Sequence, residues 1–489
     1  MTNLSHPQPA LRSILTALML SIFLGALDQT IVAVSMPAIS AQFHDINLLA
    51  WVISGYMVAM TVAVPIYGKF GDLYGRRRML LIGLGLFTLA SLFCAMAQSM
   101  QQLVLARVVQ GIGAGGMVSV SQAIIGDFVP PRERGRYQGY FSSMYAAASV
   151  AGPVLGGYMT EYLSWRWIFL LNLPLGLGAW LYARHTLVGL AVKRRQPIID
   201  YLGTVLMIVG LTSLLLSITE LGQGRAFSTP SVWGTLLLAV ATLSLFVRHE
   251  GRAPEPLLPM HLFHIRPAVL CWATVFFTAF QAISLSVLIP LRFQTVTGAG
   301  ADSAALDILP LAIGLPIGAF LGGRNTARSG RYKPVILVGA LLIPVGILGL
   351  AFTPPSALWL SGVFMLLTGF AAGLQFPTSL VGAQNAVQQQ DIGVGTSTTN
   401  LFRSLGGAMG VACMSALLLA MLHGLDLGPE GASGNALLAS LNATTGAAQE
   451  ALREKLLETF RLLLLGSAAV SVLGLAAALA MPNNVLRGR

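Results

Sequence analysis

Charge is what this sequence has least of. Only 10% of its 489 residues are Asp, Glu, Lys or Arg, against about 25% in a soluble domain. Hydrophobic residues make up 55% and the mean hydropathy is +0.74, which excludes a water-soluble globular chain and indicates an integral membrane protein. Cysteine is nearly missing. Cys94, Cys271 and Cys413 stand alone in separate apolar runs, so neither a disulfide nor a metal site is expected of them. The seven histidines lie at termini, loops or the ends of apolar runs. His261 and His264 are three apart but lack cysteine or carboxylate companions at a closed-site spacing. A membrane-embedded enzyme would need a metal cluster or a nucleophile–base pair, so no enzymatic activity and no cofactor is expected. No Gly-rich Lys-Ser/Thr phosphate loop is present, which excludes ATP as the direct energy source. Acidic residues are the rarer sign, 18 against 29 basic, for a net charge of +11. That excess does not describe a nucleic-acid surface, because the basic residues fall in short loops between apolar runs, where they set orientation in a bilayer.

Long apolar runs are what the sequence has in abundance. Fourteen lie near 14–36, 50–67, 79–97, 102–126, 138–161, 166–187, 200–219, 231–248, 268–291, 303–323, 334–352, 357–377, 396–422 and 459–481. A helix of about 20 such residues crosses roughly 30 Å of hydrocarbon, so the expected fold is all-α with 14 transmembrane helices. The first run is full length and carries Asp28, which marks it as a retained span rather than a signal peptide. An even count puts both termini on one side. Lys69, Arg76–Arg78, Arg132, Arg134 and Arg136 belong to a set of 21 basic residues on one face, against 6 on the other. By the positive-inside rule both termini are cytoplasmic, in a cell (inner or plasma) membrane.

The chain also repeats itself weakly. Gly68, Gly75 and Arg76 recur as Gly323, Gly330 and Arg331, and Gly111 and Gly135 recur as Gly369 and Gly393. The repeat divides the chain into an N-terminal six-helix bundle over 1–187, two inserted transmembrane helices over 188–260, and a C-terminal six-helix bundle over 261–489. Parallel halves of this kind are a transporter architecture, with a substrate site near the midplane between them.

Asp28 sits inside the first run, in Leu27-Asp28-Gln29-Thr30-Ile31. An acidic residue at the centre of a spanning helix costs about 2.5–3.5 kcal/mol on insertion scales, so Asp28 is expected to face a bundle interior or a water-filled cavity. Its carboxyl is a candidate for proton exchange or cation binding. In the fourth run, Arg107 and Gln110 precede a stretch rich in glycine that includes Gly111 and Gly115. A buried arginine needs a carboxylate, carbonyls or water, and small residues four apart allow close helix approach. Gly68-Lys69-Phe70-Gly71-Asp72-Leu73-Tyr74-Gly75-Arg76 joins the second and third runs with both signs of charge. Asp72 is positioned to accept hydrogen bonds from a helix N-terminus or an arginine across the halves, as a latch that rocking would break. The fifth run holds Gly152-Pro153-Val154-Leu155-Gly156-Gly157, a site for bending and tight packing. Trp165-Arg166-Trp167 opens the sixth run at the outer interface, and Asn172 and Pro174 within it read as packing residues.

These motifs, in this order, resemble the major facilitator superfamily, and with Leu27–Ile31 and the Trp-Arg-Trp stretch the sequence looks like its fourteen-span drug:proton antiporter family. The resemblance implies proton coupling through Asp28 tied to Arg107, a cytoplasmic-loop motif of Gly68, Asp72, Gly75 and Arg76, and an antiporter motif of Gly152, Pro153, Gly156 and Gly157 associated with export. Ala327 stands where the second copy of the loop motif would place its acid. The expected function is proton-coupled export of amphipathic or lipophilic compounds across the bilayer by alternating access; the rival is an exporter of a single metabolite or lipid. A transporter-derived sensor or scaffold would have no physical need for buried charge. Asp307 and Gln110 are possible substrate or proton sites. Arg403 is expected to anchor the thirteenth span near the cytoplasm, and Ala447–Phe460 to form an amphipathic helix on the outer surface.

Overall fold

The computed structural model describes residues 11–43, 45–188, 199–222, 225, 229–297, 308–354, 356–422 and 447–486. Asp307 and the stretch 423–446 lie outside the described residues. Among the described residues there are fifteen α-helices: α1 (Leu11–Phe43), α2 (Ile46–Tyr74), α3 (Arg76–Met96), α4 (Met100–Phe128), α5 (Pro131–Tyr162), α6 (Arg166–Leu170), α7 (Asn172–Thr186), α8 (Tyr201–Gly222), α9 (Pro230–Glu250), α10 (Arg266–Arg292), α11 (Leu309–Ser329), α12 (Lys333–Phe352), α13 (Leu358–Ala386), α14 (Ile392–Leu422) and α15 (Ala447–Ala480). A single residue separates α6 from α7. Leu171 keeps helical dihedrals, φ −57° and ψ −35°, but Pro174 has no N–H to give the carbonyl of Leu170, so the ladder breaks there. Counted as one broken helix, this pair brings the described helices to fourteen, the number expected.

Eleven of the helices are long and apolar enough to cross a membrane by length and composition. The exceptions have visible causes. Helix α5 is rich in glycine, serine and tyrosine along its whole length, α11 ends in Arg324 and Arg328, and α6 has only 5 residues and α7 only 15. The helices outrun their apolar cores because polar caps extend them: Asp45 accepts from the Leu48 N–H at 3.2 Å and Ser99 from the Gln102 N–H at 3.3 Å.

The amphipathic surface helix expected over Ala447–Phe460 is not a separate element. α15 runs unbroken for 34 residues, because Leu456, Phe460 and Leu463 bury against Phe280 and Leu288 of α10 and Met414 and Leu418 of α14. The apolar stripe read as a surface-lying face is a packing face.

Helices α1–α7 pack mainly against one another, and α10–α15 likewise. Within the first group α4 is central: Gly111 lies against the Tyr56 backbone and Gly113 against Phe87 and Gly83, where any Cβ would overlap backbone atoms. Helices α8 and α9 pair with each other; α8 also lies on α14 and α2, while Trp233, Leu237, Leu238 and Val240 of α9 remain exposed. Contacts between the two groups run from α2, α4 and α5 to α11, α13 and α14. They cluster at the end of the molecule that carries Arg76–Arg78. Gln122 meets Asn400 there, with the Asn400 amide donating at 2.7 Å, and Gly135 meets Gly323 backbone to backbone.

Candidate functional site

Asp28 is fully buried, and so is Arg107, at 0% and 1% exposure of their side chains. The Arg107 Nη1 donates to Asp28 Oδ2 at 2.5 Å and to Gln110 Oε1 at 2.6 Å, and its Nε donates to the Val52 carbonyl at 3.2 Å. The guanidinium lies 4.0 Å from the centroid of the Tyr56 ring, a cation–π contact strengthened by the burial of both groups. The other carboxylate oxygen, Asp28 Oδ1, accepts from Gln110 Nε2 at 2.9 Å and from Asn172 Nδ2 at 2.8 Å. Ser91 completes the cluster by accepting from Gln110 at 2.7 Å. Helices α1, α2, α3, α4 and α7 each contribute to this cluster, and α4 and α7 supply the donors to its carboxylate. Removing one partner of a pair this deep costs about 3–5 kcal/mol, because the survivor is left charged and dry.

Two expectations change here. Asn172 does not merely pack; it is a direct donor to Asp28, and its place at the start of α7, just past the Leu171 break, puts it there. Gln110, a possible substrate or proton site by sequence, belongs to the Asp28 network and is not among the residues lining the central cavity.

The cavity lies between the two groups of helices and encloses about 260 Å³. Its walls include Ala26, Gln29 and Thr30 of α1, Gln138, Phe141, Ser142, Tyr145 and Ser149 of α5, Leu315 of α11, Phe376 and Leu380 of α13, and Asn400 and Arg403 of α14. Ala26, Gln29 and Thr30 share one face of α1, and at about 100° per residue Asp28 points roughly 150° away from its centre. The acid and the cavity thus occupy opposite sides of the same helix. Arg403 does not anchor the end of its helix as expected. It lies about 16 Å into α14 by helical rise and lines the cavity, with its guanidinium 4.7 Å from the Phe376 centroid and 5.7 Å from that of Tyr145. Sequence gave a signal for it, an arginine in an apolar run, but no way to see which side of α14 it would take.

At the other end, Asp72 Oδ2 accepts from the backbone N–H of Val394, in the first turn of α14, at 3.2 Å, while Oδ1 accepts from Arg76 at 3.0 Å. The acid caps a helix of the opposite group, where the helix dipole favours negative charge. Arg76 also pairs with Asp127 at 2.6 Å and donates to the Ala123 carbonyl; Asp127 is a partner the sequence reading did not name. Gly75 has φ 94°, a left-handed conformation that glycine adopts without strain. Gly68 lies where α2 crosses α14, and a Cβ there would overlap Ser397 and Gly393. Lys69 pairs with Glu255 in the segment after α9 at 3.3 Å.

On α5 the four motif residues divide. Gly152 packs on Thr30 and Gly156 on Ile31 of α1, two and three residues from Asp28, with a Cβ at Gly156 falling 2.8 Å from the Ile31 carbonyl. The Thr30 hydroxyl donates to the Ala148 carbonyl at 2.9 Å, fastening the same crossing. Gly157 has nothing within 4 Å of a built Cβ, and Pro153 is exposed, so neither takes part in the helix contact.

The family model described as Major Facilitator Superfamily matches residues 18–411. The chain belongs to the major facilitator superfamily. It is 33% identical over 407 residues to the multidrug transporter protein MdtP of Bacillus subtilis, covering 83% of this chain and 75% of that one. It is 34% identical over 419 residues to an uncharacterized MFS-type transporter of Mycobacterium tuberculosis; the match covers 85% of this chain and spans 60% of the length of that relative. In fold it resembles the proton:xylose symporter XylE bound to 6-bromo-6-deoxy-D-glucose, with a TM-score of 0.61 at 14% identity over 97% of each chain.

Proposed function

We propose that this superfamily member is a proton-coupled exporter of amphipathic or lipophilic small molecules, of the fourteen-span drug:proton antiporter kind. Its halves would be 1–187 and 261–489, with α8 and α9 inserted between them. Names of relatives such as MdtP support the export of drug-like compounds. The observation that carries the reading is the placement of a sealed carboxylate–guanidinium pair on the back of α1, whose front lines the cavity. With the basic end taken as cytoplasmic, the cross-group contacts close that side and the cavity faces outward.

Protonation of Asp28 from outside removes the negative partner of Arg107. The guanidinium keeps its bonds to the Gln110 and Val52 oxygens and the Tyr56 face, which offset part of the lost pairing while α1 is released. Through Gly152 and Gly156 the movement of α1 is transmitted to α5. Helix α5 carries cavity residues midway and meets α11 at Gly135 and Gly323. Parting of α5 from α11, and of Asp72 from the start of α14, would open the cytoplasmic side. Loss of the proton to the cytoplasm restores the Asp28–Arg107 pair and closes that side behind the departing substrate.

The test is proton movement in vesicles containing the purified chain under an imposed pH gradient, with a panel of amphipathic anions, neutral compounds and cations. Addition of a substrate should release protons through the wild type and not through Asp28→Asn. Equal coupling by the variant would remove Asp28 from the mechanism.

A further inference from the structure

Among the described residues, the cavity's one charged wall residue, Arg403, has no counter-ion. The other buried arginines of the described chain are all held by oxygen: Arg107 by Asp28, Arg76 by Asp72 and Asp127, Arg134 by the carbonyls of Val129 and Gly126, and Arg292 by those of Leu350 and Thr353 at 2.9 and 2.8 Å. Arg403 is half-buried at cavity depth and, among the described residues, contacts the aromatic faces of Phe376 and Tyr145 and no carboxylate. Among the described residues no Asp or Glu lines the cavity; its other polar walls are neutral amides and hydroxyls such as Gln29, Gln122, Gln138 and Asn400. The two aromatic rings hold the planar guanidinium in place without using its N–H groups, which leaves its donor fork available to a ligand.

We propose that this cavity selects amphiphiles carrying an anionic group, a carboxylate or sulfonate on an aromatic or branched apolar body, with the anion received by Arg403. The inference rests on the exporter reading for its role in transport but not for binding. A lipophilic cation would place a second positive charge beside Arg403, with no acid among the described cavity walls to offset it. An anion would neutralise Arg403 and gain a paired, charge-assisted contact. The apolar body would lie against Phe141, Leu315, Phe376 and Leu380. The volume of about 260 Å³ sits just below the usual range of roughly 300–1,000 Å³ for drug-sized sites, which favours compact bicyclic ligands. The transport cycle gains a direction as well. Each anion leaving against one entering proton moves two positive charges inward, so an inside-negative potential drives the exchange.

The experiment measures binding of three near-isosteric probes, 2-naphthoate, 2-naphthamide and 2-naphthylmethylammonium, to the full chain in lipid nanodiscs by titration calorimetry. Wild type should bind 2-naphthoate at least ten times more tightly than the ammonium probe. Arg403→Gln should weaken 2-naphthoate by about 10- to 100-fold, the worth of a charged hydrogen-bonded contact, and change 2-naphthamide less than about threefold. Retained 2-naphthamide binding shows that the variant is folded. Arg403→Lys, which keeps the charge and loses the fork, should fall between the two. Preference of the wild type for the ammonium probe, or an equal loss of all three probes in Arg403→Gln, overturns the proposal. A parallel vesicle assay separates the two readings. Arg403-dependent 2-naphthoate binding without any proton movement leaves the anion site standing and sinks the exporter. Asp28-dependent proton movement driven only by cations or neutral compounds does the reverse.

Discussion

At the residue scale the centre of the molecule is a carboxylate with three side-chain donors, Arg107, Gln110 and Asn172. Such a cluster is not additive. Arg107→Gln leaves Asp28 buried without its cation and should destabilise the protein by about 3–5 kcal/mol, whereas Asp28→Asn/Arg107→Gln together should cost clearly less than Arg107→Gln alone. Chemical or thermal unfolding of the four proteins in one detergent closes this cycle; an additive result would mean that the two groups do not interact. Asn172→Ala removes one hydrogen bond to a charged acceptor and should cost about 1.5–3 kcal/mol in the same assay. The acid and the arginine were legible in the sequence because polar residues stand out in apolar runs. Asn172 was not, because asparagine near a helix start is common and only the fold shows what it faces.

At the scale of elements, close crossings decide where helices can slide. Gly156→Ala places a methyl against the Ile31 carbonyl and should separate α5 from α1, while Gly157→Ala meets nothing. Transport in vesicles should fall by at least tenfold in the first variant and stay within about twofold of wild type in the second. The sequence presented these neighbouring glycines as one motif; helical geometry puts them about 100° apart, so only one of them faces α1. The cap on α14 is also an element-scale device. Asp72→Asn keeps an acceptor oxygen for Val394 but removes the charge that meets the helix dipole and Arg76. Spin labels at Arg78 and Gln390, both exposed, should report a larger population of long distances in Asp72→Asn than in wild type by pulsed electron resonance. An unchanged distribution would remove Asp72 from the closure of this end.

At the scale of the whole molecule, the crossings between helix groups lie at the end rich in arginine, and the cavity lies beyond them. With that end cytoplasmic, Ser149→Cys, which lines the cavity, should react with a membrane-impermeant thiol reagent added outside intact cells and not with one added to inside-out vesicles. Cys413 is exposed, so the measurement uses a Cys413→Ser background. Labelling only from the cytoplasmic side would reverse the assigned orientation or the closed end. Helices α8 and α9 add a flank to this arrangement without entering the cavity, since no residue of either lines it.

The sequence by itself determined that the chain is a bundle of membrane helices, roughly where each begins and ends, and which residues carry charge at unusual depth. Those properties follow from composition along one dimension, since a bilayer imposes the same length and the same backbone hydrogen bonding on every span. The tertiary structure alone decided direction. It turned Asp28 away from the cavity and Arg403 toward it, set Asn172 on the acid, brought Asp127 to Arg76, and joined the expected surface helix to the last span. In helices that are apolar nearly all round, no periodic pattern marks an inner face, so each side chain's direction is fixed only when its neighbours pack against it.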